Sequence, residues 1–284
     1  MCEYAISQPR SKVADGGRKR VKSDGIAAPM NPFHRSSFMD RHPDNSNLRV
    51  TNSSDWEGLP LLPRHGPYVI EYLDNILMTL KDALEDYPRT IVLRFDLRFP
   101  SFRQHAEDAI TRFFRSLKAQ IDADQSRKAK VGRRRFSCRV RYVWAAERDR
   151  SSLPHYHVAI LLNKDAYHSL GRFPTSESLG GDSVEPFGSG MADRIVRAWA
   201  RALRLDPASA VGLVHFPDNA VYHINMNGAA LFEQYTAAFR RLSYLAKART
   251  KRYGEGRQSF RCSRPRLVPL AVDDSNSPHT QPIA

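Results

Sequence analysis

Apolar residues recur at every third or fourth position in four stretches of this chain, a spacing typical of amphipathic helices. The first stretch follows Pro67, and the last carries a long apolar stripe that includes Tyr235 as an ordinary core residue. The four predicted helices have their apolar faces within 72–84, 106–117, 191–204 and 229–249.

Four further stretches are short and either alternate between apolar and polar residues or are continuously apolar, as strands do. They cover 90–100, 133–147, 155–163 and 212–217. The connection between the second and third is short and turn-like, which predicts a hairpin. Helices and strands mixed in this order predict an α+β fold, with an antiparallel-rich sheet flanked by helices.

The ends of the chain lack such periodicity. Residues 1–66 are rich in Ser, Asn, Asp, Gly, Pro and Arg, which predicts a mostly disordered basic and polar arm. Residues 67–262 are predicted to form the folded, functional domain, and residues 263–284 a flexible tail.

Charge and cysteine usage narrow the class of protein. Forty-four Lys and Arg against 30 Asp and Glu give a net charge of +14, which favours a polyanionic partner. The three cysteines are far apart and odd in number, so a disulfide framework is not expected and a reducing compartment is. Since neither a signal peptide nor a membrane-spanning run is apparent, we expect a cytoplasmic protein without a membrane partner.

The predicted hairpin brings candidate metal ligands together. Side chains alternate across a strand, so His155 and His157 point to one side and Tyr156 to the other. Glu147 ends the preceding strand, and if the hairpin closes there, its carboxylate reaches the same point. Two imidazoles and a carboxylate leave positions open for water or a phosphate oxygen, which suits Mn²⁺ or Mg²⁺, although imidazoles also suit Zn²⁺.

The last predicted helix offers a candidate nucleophile. Tyr244 falls nearly opposite the apolar stripe, beside Arg240, Lys247 and Lys251. Nearby positive charge favours a phenolate, which is an adequate nucleophile for phosphorus. The alternative is a surface tyrosine with its ring on apolar neighbours and its hydroxyl in water.

Basic residues surround these candidates and are interpreted as contacts to a DNA backbone. The runs 127–135 and 247–264 flank the hairpin and Tyr244, although such runs are often only solvated loops. Asp96 is a further carboxylate in the early strand, but a strand-end carboxylate often makes only structural hydrogen bonds. The candidate DNA-binding residues are Arg94, Arg98, Arg240, Arg241, Lys251 and Arg252.

Four segments together resemble a known family: DLRFP, YVWAAERDRSSLPHYHVAILLNKDAYHSLG, GLVHFP and LSYLAK. They resemble the inovirus-type replication proteins, also called YagK/YfjJ-like, within the HUH-endonuclease superfamily of rolling-circle replication initiators. The similarity covers roughly residues 67–253.

The resemblance implies an HUH-endonuclease-like sheet whose central strands carry the two histidines and face a tyrosine helix. It implies His155, His157 and Glu147 as metal ligands, Tyr244 as nucleophile and Lys247 as its helix partner. Tyr156 fits the bulky apolar middle position of the motif only loosely. A second tyrosine is absent from the helix motif, which is typical of single-tyrosine enzymes.

The resemblance implies metal-dependent, site-specific nicking and joining of single-stranded DNA through a 5′-phosphotyrosine intermediate, initiating replication of a phage-like or mobile element. The expected partners are single-stranded or origin DNA, a host helicase and a polymerase. A separate helicase is expected because the chain has no GxxxxGK[ST] loop of its own. Two alternatives stay open: a non-catalytic DNA-binding regulator derived from such an initiator, and a metal-dependent hydrolase of small phosphoesters.

Overall fold

The computed structural model describes residues 40–101, 108–148, 155–179, 190–251, 253 and 258–265. No helix within these ranges is long and apolar enough to cross a bilayer. Two 3₁₀ helices, Ala208–Leu213 and Tyr244–Ala246, accompany the regular elements. In chain order those elements are β1 Asp40–His42, β2 Asn45–Thr51, β3 Asp55–Trp56, β4 Leu59–Pro60, β5 Tyr68–Val69, α1 Ile70–Asp86, β6 Arg89–Leu97, α2 Ala109–Lys130, β7 Arg141–Glu147, β8 His155–Asn163, α3 Ser176–Leu179, α4 Met191–Leu203, β9 Val214–His215, β10 Val221–Asn225, α5 Leu231–Ser243 and β11 Phe260–Cys262.

A central antiparallel sheet organises the fold. Its strand order is β10-β6-β8-β7-β11. The short strand β9 pairs antiparallel with the last two residues of β6, Asp96 and Leu97. The predicted hairpin is confirmed, because β7 and β8 pair antiparallel with Glu147 opposite His155. The α+β class with an antiparallel-rich sheet flanked by helices is also confirmed.

The two faces of the sheet bury different helices. One face packs on α2 and α4, and its strand residues include Phe95, Trp144 and Tyr156. The other face packs on α1 and α5, and its strand residues include Val143 and Ala159. Since side chains alternate along a strand, every residue of the candidate metal site falls on the second face, while Tyr156 points into the first core as predicted.

The segment before α1 is folded, so the predicted disordered arm is wrong for residues 40–66. Strands β1, β2 and β5 form a three-stranded sheet, and β3 pairs with β4. Leu59 and Leu61 are buried in the core shared with α1 and α5. Most of these strands have only two or three residues, too few for a periodic signal, which is why the sequence pattern missed them. Residues 1–39 of the predicted arm and 266–284 of the predicted tail lie outside the described ranges.

Several predicted elements end at other residues than expected. The strand predicted over 133–147 begins only at Arg141, and the strand predicted over 212–217 is reduced to the two residues of β9 after a 3₁₀ helix. The helix predicted over 229–249 ends at Ser243. Beyond it the backbone of Lys247 forms a β-bridge with Tyr68, and Ala248 N–H donates to the Pro67 carbonyl at 2.7 Å. These pairings draw the chain out of the helix.

Candidate active site

Strand register brings the candidate metal ligands to one end of the sheet. Glu147 lies opposite His155 across the β7–β8 pair, and Asp96 lies opposite His157 across the β6–β8 pair. Because these positions all point to the face that holds α5, their side chains converge. The predicted grouping of Glu147, His155 and His157 is therefore present in the structure.

The three side chains fit a divalent cation. One ligand atom from each lies within 4.8 Å of the others, with His155 Nε2 and His157 Nε2 3.2 Å apart and His157 Nε2 3.0 Å from Glu147 Oε2. Glu147 Oε1 is buried without a hydrogen-bond donor in the described part of the chain. Burial and the neighbouring His157 lower the pKa of His155, which favours the neutral imidazole that binds metals. Two nitrogens and a carboxylate are an established donor set for transition metals.

A carboxylate behind His157 orients that ring. His157 Nδ1 lies 2.6 Å from Asp96 Oδ1, and Arg94 pairs with the same carboxylate while its Nη2 lies 2.7 Å from His157 Nδ1. Burial would raise the pKa of Asp96, but the His157 hydrogen bond and the Arg94 charge outweigh it and hold that pKa well below its usual range. An ionised Asp96 keeps the proton on Nδ1 and directs Nε2 towards Glu147, the usual arrangement behind a metal-bound histidine.

Tyr244 lies beside this cluster through Lys247. Lys247 Nζ donates to the Tyr244 hydroxyl at 2.7 Å and to Glu147 Oε2 at 2.7 Å, so one ammonium joins the phenol to the candidate ligand. The ring centroids of Tyr244 and His157 are 5.0 Å apart, edge to face. Burial would lower the pKa of Lys247, but the bonds to Glu147 and Tyr244 raise it overall, so the group stays an ammonium.

A second lysine reaches the same carboxylate from inside the fold. Lys251 Nζ lies 3.7 Å from Glu147 Oε1 and donates to the Lys247 carbonyl at 2.6 Å. Burial lowers the pKa of Lys251 to about 7, against the pull of Glu147. For Glu147 itself burial opposes ionisation, yet His157 and the two lysines lower its pKa to about 2. The carboxylate is therefore ionised at neutral pH and available to a cation.

The helix end sets the position of Tyr244. Tyr244 starts the 3₁₀ helix that follows α5, whereas Leu245 and Ala246 in the same turn are buried in the core. Ser243 is fully buried, and its hydroxyl accepts from Leu62 N–H at 3.2 Å and donates to the Arg240 carbonyl at 2.7 Å. The N-terminal segment thus holds the turn that carries the tyrosine. Tyr235 packs on the core as predicted, and burial raises its pKa to about 12.

Two further histidines at the site were missed from the sequence. The His65 ring lies edge to face against Tyr244 at 5.1 Å between centroids, and burial together with Lys247 lowers the pKa of His65. His215 on β9 is half-exposed, with Nδ1 3.5 Å from Asp96 Oδ2. Both come from segments distant in the chain, and a strand pattern at 212–217 was the only local signal for either.

The candidate DNA-binding residues fall into different environments. Arg98 and Arg240 are exposed, and Arg241 is half-buried with Nη2 3.4 Å from the Asp218 carbonyl. Placing Arg94 and Lys251 on a DNA-binding surface is wrong, because both are buried and bonded inside the site. Arg252 lies outside the described residues.

An antiparallel sheet between two helical layers, with a histidine–glutamate cluster beside a lysine-bonded tyrosine, defines an α+β protein with a candidate metal centre. The chain belongs to the family of the YagK/YfjJ C-terminal domain, whose model matches residues 52–263. It is 34% identical to "Uncharacterized protein YagK" of Escherichia coli (strain K12) over 209 residues, which are 70% of this chain and 95% of that protein. It is 29% identical over 213 residues to "Uncharacterized protein YfjJ" of the same strain, covering 70% of this chain and 96% of that protein.

No solved structure matches the chain. The predicted YagK/YfjJ-like family is thus confirmed, whereas the relation to HUH-endonuclease replication initiators stays a prediction.

Proposed function

We propose that this protein nicks and rejoins single-stranded DNA at a specific site, through a covalent bond between Tyr244 and a 5′-phosphate. The observation that carries the proposal is the Lys247 ammonium, which donates to both the Tyr244 hydroxyl and Glu147 Oε2 at 2.7 Å. It places a potential nucleophile at the edge of a candidate cation site. The proposal assigns an HUH-endonuclease-like role to the antiparallel central strands, and it is supported by the position of both histidines on the face that holds the tyrosine.

In the nicking step the Tyr244 oxygen forms a bond to phosphorus and the bond from phosphorus to the 3′ oxygen breaks. The phenol loses its proton and the departing 3′ oxygen gains one, so the exchange is balanced and the reverse reaction rejoins the strand. Lys247 donates to the Tyr244 oxygen and would stabilise negative charge that develops there during the exchange. The His65 ring, whose pKa is lowered by burial, packs edge to face against the phenol ring.

Glu147, His155 and His157 would hold a divalent ion, Mn²⁺ or Mg²⁺, in this proposal. Such an ion supplies Lewis-acid polarisation of a phosphate oxygen when it is bound. Asp96 keeps the His157 ring oriented for that role, and Arg94 pairs with the Asp96 carboxylate. The free 3′-hydroxyl left by nicking could prime a polymerase, and unwinding would need a separate helicase, so the cellular role we propose is initiation of rolling-circle-type replication at an origin.

Incubation with Mn²⁺ and labelled single-stranded origin-region DNA tests the proposal. We expect a denaturation-resistant protein–DNA band in the wild type, its loss in Tyr244→Phe and upon chelation, and its retention in Tyr235→Phe. Tyr235 is the matched control, because it lies on α5 but packs on the core. An adduct that survives in Tyr244→Phe would refute the nucleophile.

The same assay separates the alternatives. Retarded but uncleaved DNA in every variant would favour the non-catalytic regulator derived from an initiator. Release of phosphate from small esters without any adduct would favour a metal-dependent hydrolase, in which Tyr244 has no covalent role.

A further inference from the structure

A basic pocket lies at the end of β7 opposite the candidate active site. Its volume is about 430 Å³, and it opens at the sheet edge between α2, the start of β7 and the segment around β11. Arg141, one of the lining residues, starts β7 six residues before Glu147. At about 3.3 Å per residue along a strand, the pocket and the candidate active site are roughly 20 Å apart.

Positive charge dominates the lining. Lys118, Arg139, Arg261 and Arg264 are exposed around the pocket, and Asp122 is the acidic residue among the lining side chains. Within the described ranges, none of those four cations forms a salt bridge. Four exposed cations against one carboxylate leave the lining with a net positive charge, so the arrangement favours a bound anion.

A buried guanidinium completes the pocket. Arg141 is 2% exposed, and its Nε and Nη1 bond to Asp86 at 2.6 Å and Asp82 at 2.9 Å. Its Nη2 is buried and has no hydrogen-bond partner in the described part of the chain. The two carboxylates fix the orientation of the guanidinium, while leaving a buried donor unpaired is costly. Arg141 is one of the residues that line the pocket, and the planar arginine fork matches phosphate geometry well.

The surroundings favour a long polyanion over a small one. Arg133, Arg134 and Arg135 are exposed on the segment that leads into β7, so positive charge continues beyond the pocket. Arg134 also lies over the Phe136 ring, 4.8 Å from its centroid. Single-stranded nucleic acids are typically bound by such cationic tracks interspersed with aromatic rings.

We propose that this pocket binds a backbone phosphate of single-stranded nucleic acid, as a second contact distant from the candidate active site. The pocket would hold the strand beyond the nucleotide at Tyr244 and add affinity without taking part in bond exchange. The proposal goes beyond the proposed nicking function and does not require it, since binding alone is the property assigned.

Salt-dependent binding of a labelled single-stranded oligonucleotide, measured without metal, tests this assignment. The test variant combines Arg139→Gln, Arg261→Gln and Arg264→Gln. The control combines Lys81→Gln, Arg172→Gln and Arg201→Gln, which removes the same charge from exposed residues outside the pocket. Each phosphate contact to a single strand contributes about 0.7 to the slope of log K against log salt concentration. Because the pocket holds one phosphate, we expect the slope to become shallower by about 0.7 in the test variant and to change little in the control.

Equal slopes in the two variants would overturn the proposal. So would a test variant that keeps its DNA affinity but loses thermal stabilisation by inorganic phosphate, because the pocket would then serve a small anion. Adduct formation by the wild type is measured in parallel. A changed slope without any adduct supports the pocket and contradicts the nicking proposal, whereas an adduct with unchanged slopes supports nicking and contradicts the pocket. Unfolding midpoints of both variants verify that each is folded.

Discussion

At the scale of single residues, neighbours determine what each side chain of the site can do. Asp96 is the clearest case, because it accepts from His157 Nδ1 at 2.6 Å and is itself paired with buried Arg94. Through this bond it acts on His157 without being one of the three candidate ligands. A histidine held in this way presents Nε2 in a fixed direction, and such outer carboxylates strengthen metal binding by neighbouring groups.

Replacing Asp96 by Asn should weaken binding of Mn²⁺ by about 10- to 100-fold, because the amide lacks the charge that holds the proton on Nδ1. Isothermal titration with the metal alone measures the effect and needs no DNA. Asp165→Asn is the matched control, since Asp165 pairs with half-exposed Arg89 away from the cluster. If both variants bind Mn²⁺ as the wild type does, Asp96 has no positioning role.

How far the sequence predicts the site depends on the range of the contacts. Glu147, His155 and His157 follow from one hairpin and from strand alternation, so local pattern is sufficient to group them. The position of Asp96 behind His157 does not follow from local pattern, because its partner strand lies some sixty residues away and the register of that pairing is a tertiary property. The burial of Arg94 was not predicted for the same reason, because Arg94 lies on the same face of β6 as Asp96.

At the scale of elements, the end of α5 determines where the tyrosine lies. An α-helix continued to residue 249, as the periodicity predicts, would carry Tyr244 and Lys247 one turn apart on a regular surface. Instead a 3₁₀ turn follows Ser243, and the backbone beyond it pairs with the segment before α1. The helical pattern persists in the sequence because Leu245 and Ala246 still pack inward, so periodicity alone cannot detect the change.

Ser243→Ala should lower the free energy of unfolding by about 1–3 kcal/mol, because Leu62 N–H loses its acceptor near the core. Urea denaturation measures the change. Ser126→Ala is the control, since Ser126 is exposed and donates only to the Asp122 carbonyl within its helix. That substitution should stay within about 0.5 kcal/mol of the wild type. Equal losses in the two variants would mean that the Ser243 link does not anchor the tyrosine turn.

The long helices and the strands β6, β7 and β8 were predictable, the helices from their 3–4 spacing and the strands from short apolar or alternating runs, although β6 and β8 are buried on both faces. Strands β10 and β11 of the same sheet were not predicted. The element boundaries were harder to predict. Strand β7 starts eight residues after the start of the predicted strand, because the exposed basic residues from 133 onwards do not take part in the sheet. Strands β2 and β5 were missed because their hydrogen bonds join residues about eighteen positions apart. Short strands of this kind are defined by a partner that local composition does not identify.

At the scale of the whole molecule, the N-terminal segment is part of the domain that carries the site. Val50 belongs to a small cluster with Val69 and Ala248, and Leu59 and Leu61 pack into the core shared with α5. The family match also starts at residue 52, ahead of the predicted domain boundary at 67. The tyrosine turn is therefore held between α5 and a segment that the hydrophobic pattern had assigned to a disordered arm.

A chain that begins at residue 67 should accordingly be much less stable than one that begins at residue 40. The shorter chain loses the burial of Val50, Leu59 and Leu61, and at about 1.5–3 kcal/mol for each buried side chain this amounts to about 4.5–9 kcal/mol. It also loses the donor to Ser243 and the strand pairing of β5, so we expect its adduct formation to fall even at temperatures where it is folded. Thermal unfolding and the adduct assay, run on both chains, measure the two effects. Matching midpoints and matching adduct yields would mean that residues 40–66 pack on the domain without supporting it, and that α5 alone positions the tyrosine.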